Sequence, residues 1–126
     1  MTKINDLPKS LPSRDHEFTI KLVGNLTKHE YSGEFKCKLP NLKTQSLIAK
    51  TKAFYNAGFE LSLDPVIKNL HHMVSYCKHT LTDAPDWFKN NDYGYDLYDD
   101  NILFEVYNKI LEFENSWIES VWGKNE

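Results

Sequence analysis

The sequence predicts an α+β domain, an N-terminal β-hairpin followed by a mainly three-helix bundle. Three observations carry that reading. Apolar and polar residues alternate in two runs between residues 17 and 40. Apolar residues then recur at three- and four-residue spacing in three later segments. Finally, 126 residues with 40% apolar content suffice for one core and not for two.

The opening "MTKINDLPKSLPSRDHE" carries Pro8, Pro12, two serines and mixed charge with no apolar periodicity. Such a stretch buries too little surface to offset its ordering entropy, so residues 1–16 read as a flexible arm. From Glu17 the pattern has a period of two, with Phe18, Ile20 and Leu22 on one face. It returns in Tyr31, Gly33, Phe35, Cys37 and Leu39, and the polar "GNLTKHE" between the runs suits a hairpin connection. Two strands alone are marginal, so helices must cover them.

The first helix spans about 42–57, with Leu47, Ile48, Thr51, Phe54 and Tyr55 on one side and Gly58 as its stop. The second, about 65–82, is marked by Asp64 as cap and Pro65 in the first turn. Val66, Leu70, Met73, Cys77 and Leu81 form its buried stripe, flanked by Ile67 and Val74. The third, about 100–122, begins after the turn-rich "TDAPDWFKNNDYGYDLYDD", with Asp99 or Asp100 as cap.

Composition narrows the function. A net charge of −3, with lysines scattered among carboxylates, supplies no positive field for nucleic acid. Cys37 and Cys77, far apart and outside any CxxC, read as free buried thiols in a reducing compartment. No signal-like segment and no run of about 18 apolar residues occurs, so no membrane is expected and the chain reads as soluble.

His71, His72 and His79 cannot converge on one ion, because neighbours on a helix point about 100° apart and positions seven apart lie about two turns away. They read as solvated histidines on the polar side of the second helix. Asp92, Asp96, Asp99 and Asp100 lack the ligand spacing of a calcium loop and read as capping and solvated groups. No nucleophile elbow, phosphate loop or HExxH is present. The expectation is a non-enzyme with no metal, no cofactor and no catalytic residues.

Two features remain. "APDWF", residues 84–88, sets Trp87 and Phe88 together either as a plug for one end of the core or as a partner contact. The last helix, "ILFEVYNKILEFENSWIESVW", is apolar over about 200°, roughly double the arc a surface helix needs. Either it is the central helix, sandwiched on both flanks, or part of its surface meets another polypeptide.

Taken in order, "YSGEFKCKLP", "LIAK", "APDWF" and "DLYDDNILFEVYNKILEFENSW" resemble the tail assembly chaperones of long-tailed bacteriophages over about 17–122. The resemblance implies a non-catalytic protein of the host cytoplasm that coats the tape measure protein and keeps it soluble until tail tube protein polymerises around it. Tape measure protein is thus the implied client, tail tube protein a second partner, and self-association a further property. Carried onto this chain, the contact residues are Phe113, Trp117, Ile118, Val121 and Trp122, with Trp87 and Phe88 as a second site or a plug. The alternatives are a structural virion subunit, such as a head-tail completion or tail terminator protein, and a small regulatory interaction module.

Overall fold

In the computed structural model, which describes residues 11–124, the alternating runs form β1 (Asp15–Val23) and β2 (Glu30–Lys38). They pair antiparallel with Phe18 opposite Phe35, Ile20 opposite Gly33 and Leu22 opposite Tyr31. These positions face inward, and the Phe18 and Phe35 rings stack with centroids 5.2 Å apart. Glu17, Thr19, Lys21, Ser32, Glu34 and Lys36 face solvent, so one side of the sheet is wet. The hairpin turns where the Gly24 N–H donates to the His29 carbonyl (2.8 Å) and Lys28 takes a left-handed φ of 63°.

The arm is shorter than its composition predicts. Arg14 donates from Nε (3.0 Å) and Nη2 (2.6 Å) to the Leu39 carbonyl, and the Leu39 N–H donates to the Arg14 carbonyl, which extends the ladder beyond the strand. Asp15 and His16 already belong to β1. The first ten residues of the predicted arm lie outside the described residues.

Helix α1 (Leu42–Asn56) starts at Asn41, whose side-chain oxygen accepts the Thr44 N–H at 2.9 Å, and ends on left-handed Ala57, one residue before the expected Gly58. Its predicted apolar face is corrected. Only Ile48 and Asn56 are buried, while Leu47 is exposed and Phe54 is 78% exposed. The inward stripe is Ile48, Thr51, Lys52, Tyr55 and Asn56, a helical spacing built largely from polar groups.

Helix α2 (Pro65–Thr80) begins as expected, with Asp64 accepting the Val66 N–H at 2.7 Å. It is the central helix. α1 packs on it, α4 (Asp100–Lys124) packs on it, and β3 (Leu81–Asp83) continues from its end to pair with β2. Met73, Val74, Cys77 and Leu81 are buried as predicted and Leu70 is half-buried, but Val66 and Ile67, in the first turn of α2, are exposed.

The α+β class and the N-terminal hairpin hold, with two additions: the sheet has a third antiparallel strand, in the order β1-β2-β3, and a short fourth helix joins the three long ones. The long helices share their core with the inner face of the sheet: Ile20, Phe35 and Cys37 join Met73, Val74, Val106 and Ile110 in one cluster. A one-turn helix α3 (Asp86–Lys89) closes the end of that cluster. Each such aliphatic or aromatic side chain contributes about 1.5–3 kcal/mol on burial.

Candidate protein-binding surface

The wide apolar arc of α4 resolves along the length of the helix. Leu103, Val106 and Ile110, from its first half, are buried in the core shared with α2 and the sheet, and Ile102 is also buried. In the middle, Phe104, Tyr107, Leu111 and Phe113 are half-buried against the same core, and the Phe113 ring lies flat on His16 with centroids 4.3 Å apart. Glu114, the one charge within the arc, accepts a hydrogen bond from the Tyr76 hydroxyl at 2.7 Å, which lets a carboxylate sit at the inner edge of the helix.

α4 is much longer than α2. At 1.5 Å per residue its 25 residues span about 37 Å, against about 24 Å for the 16 residues of α2. Trp117, Ile118 and Val121 are half-buried, and Trp122 is 68% exposed. None of these four is among the residues packed on the core cluster, whereas Phe113 is. Trp117 is held from the other side, its indole N–H donating to the Pro12 carbonyl at 3.0 Å. α4 packs on both α2 and β1, so its first half is sandwiched as the alternative reading expects, while Trp117, Ile118, Val121 and Trp122 lie outside the core cluster. Among the described residues, the first half of α4 faces inward and its end carries apolar side chains that lie outside the core cluster.

Trp87 and Phe88 separate. Phe88 is fully buried, its ring 5.3 Å from Phe35 and 6.1 Å from Tyr93, so it presents no contact surface and the partner-contact reading is corrected for this residue. Trp87 is half-buried, its indole N–H donating to the Ser32 carbonyl at 3.0 Å and its ring 5.1 Å from Tyr31. Gly33 makes room for this corner, because a Cβ there would lie 2.2 Å from Pro85 Cγ. "APDWF" is thus a lid on the core, bolted to β2.

Asp99 does more than cap a helix. It is fully buried beneath the hairpin loop, where its carboxylate accepts the Leu26 and Thr27 N–H groups (both 2.8 Å), the Thr27 hydroxyl and the Tyr31 hydroxyl (2.9 Å). Burial pushes its pKa up, but the donors from Thr27, Leu26 and Tyr31 outweigh that and hold it at about 2. A Cβ on Gly24 would lie 2.2 Å from Asp99 Oδ2, so the loop closes on the carboxylate only with glycine there.

The histidines are not a solvated set. His71 is buried between Asn56 Oδ1 (2.7 Å from Nδ1) and the Tyr95 hydroxyl (2.9 Å from Nε2), and His79 Nε2 lies 2.7 Å from the Thr51 hydroxyl. Burial lowers the pKa of His71, His72 and His79, and nearby lysines add to it for the last two. Neutral His71 then donates from Nδ1 to Asn56 and accepts from Tyr95 at Nε2. Beside it, Lys78 pairs with Asp92 at 2.6 Å and both bond to the Tyr55 hydroxyl, so this polar seam satisfies the α1–α2 contact that apolar residues do not make.

Cys37 and Cys77 are free and buried. Burial raises both thiols, Cys37 to about 11 with help from Asp15, so neither is a thiolate at neutral pH. Among the described residues no group of three or more His, Cys, Asp or Glu is placed to hold a metal ion, and no helix is long and apolar enough to cross a membrane.

Compared with protein-family models, with curated proteins and with solved structures, the chain matches none of them. The surface must therefore be read from its own chemistry. An apolar area that sequence reasoning missed lies at the tip of the α1–α2 helical hairpin, where Phe54, Phe59, Leu61, Val66 and Ile67 are all exposed. Periodicity had assigned Phe54, Val66 and Ile67 to the core. Only the polar stripe of α1 signals that Phe54 turns outward.

Proposed function

We propose that this protein is a non-catalytic binding protein that shields an apolar helical client, and that it acts in the host cytoplasm as a tail assembly chaperone for a phage tape measure protein. One observation carries the reading: among the described residues, the end of α4 holds Trp117, Ile118 and Val121 half-buried and Trp122 exposed, all outside the core cluster. A helix with an apolar stripe of its own is the complementary ligand, laying its face along that rod.

Co-expression with a tape measure fragment tests this. The wild-type chain is expected to raise the fragment's soluble yield, and Trp122→Glu to abolish the gain, because Trp122 is exposed and its replacement leaves the fold intact. Phe54→Glu, at the other apolar area, is expected to leave the gain unchanged. Equal loss in both variants, or in neither, rules out α4 as the contact surface.

A further inference from the structure

β1 is an edge strand. The order β1-β2-β3 leaves one side of its nine residues unpaired among the described residues. The ladder decides which backbone groups point there. The Leu39 N–H donates to the Arg14 carbonyl and the Gly24 N–H to the His29 carbonyl, and both pairs continue the Asp15↔Lys38 register, so the even-numbered residues of β1 turn their N–H and C=O groups toward β2. Asp15, Glu17, Thr19, Lys21 and Val23 turn theirs to the open side.

β1 contains no proline and its pairing with β2 has no bulge, so its edge lacks those two breaks; the charges it does carry, on Asp15, Glu17 and Lys21, must be matched by whatever strand pairs there. Helix α4 does not close the edge either. An open groove of about 360 Å³ lies between His16, Phe18 and Thr19 on the strand and Lys109, Glu112 and Phe113 on the helix.

The same five positions are self-complementary. Laid antiparallel against a second copy about a twofold axis at Thr19, the midpoint of the strand, Thr19 meets Thr19, Glu17 meets Lys21 and Asp15 meets Val23. All five then pair through backbone groups already aimed outward, and the two Glu–Lys pairs fall directly opposite on the solvent face. Sliding by two residues leaves a terminal position unmatched. Glu17 also lies 3.6 Å from Lys36, but both side chains are mostly exposed, so that contact does little to hold Glu17 away from a new partner.

We propose that two copies of this chain join edge to edge through β1 in this register, forming one continuous six-stranded sheet with the two α4 helices side by side beneath its centre. The pairing goes beyond the client reading and stands without it, since it uses β1 and not the end of α4.

Light scattering and sedimentation of the full chain test it. The expected mass is twice the 14.8 kDa of the chain. Thr19→Pro is expected to give a monomer with unchanged circular dichroism, because the Thr19 N–H is not used by β2. Glu17→Lys sets lysines opposite each other twice and is expected to weaken the dimer about tenfold, while Glu17→Lys combined with Lys21→Glu restores it. A monomeric full chain overturns the proposal, as does a dimer that survives Thr19→Pro. So does a chain that dimerises only once residues 2–10 are removed, which would place its own N-terminal segment on the edge.

Discussion

Phe88→Ala is expected to lower the stability of the protein by about 3–5 kcal/mol. Phe88 is fully buried where three parts of the chain meet: Phe35 of β2, Trp87 beside it, and the loop at Tyr93 and Gly94. A Cβ on Gly94 would come within 2.9 Å of the Phe88 ring, so the loop is already pressed against it. Gly94 has φ of 90°, and the preceding Asp92 and Tyr93 are also left-handed, so this segment has little freedom to collapse into the space a lost ring leaves. Urea unfolding measures the loss, and an unchanged midpoint would show that the corner is not part of the core.

The second large effect is expected at Asp99. Asp99→Ala leaves the Leu26 and Thr27 N–H groups and the Thr27 and Tyr31 hydroxyls without their common acceptor, under a loop that has closed over them. It should destabilise far more than Asp100→Ala, whose carboxylate accepts one exposed hydrogen bond from Asn25. The pH dependence has a definite sign. The folded carboxyl is held at about 2, below its ordinary 3.8, so the unfolded chain takes up the proton first as pH falls. The contribution is complete above about pH 4 and is lost as pH drops toward 2. Asp99→Asn is expected to remove that part of the acid slope, and hydrogen exchange at residues 24–30 to accelerate in the same variant. A slope identical to wild type would mean the carboxylate is not bound as described.

Much of the fold was legible because it rests on strong local signals. Phe18, Ile20 and Leu22 against Tyr31, Gly33 and Phe35 place the hairpin, and Asp64–Pro65 marks the start of α2 within one residue. The failures share a cause. α1 turns Leu47 and Phe54 outward because α2 offers it His71, Lys78 and His79, and apolar periodicity cannot register a polar stripe that packs on polar partners. β3, only three residues long, is too short to show alternation and exists because the chain after α2 runs past β2. Asp99 looked like a cap because its loop partners lie more than 70 residues earlier.

The candidate surface was partly legible for a related reason. The excess of apolar residues on α4 is visible in sequence, but which of them reach the core is set by tertiary packing. Hence Phe113 belongs to the core margin and Trp122 to the free surface, though both were read as contacts. Phe88 was placed with Trp87 because they are neighbours, yet successive residues on even one helical turn face different surroundings.

The fluorescence of Trp122 tests the central claim most directly. With Trp87 and Trp117 replaced by phenylalanine, Trp122 is the one remaining tryptophan of three. Its emission should be that of a water-exposed indole in the isolated protein and should move to the blue on titration with a tape measure fragment. Binding of that fragment with no change in the emission of Trp122 would contradict the account.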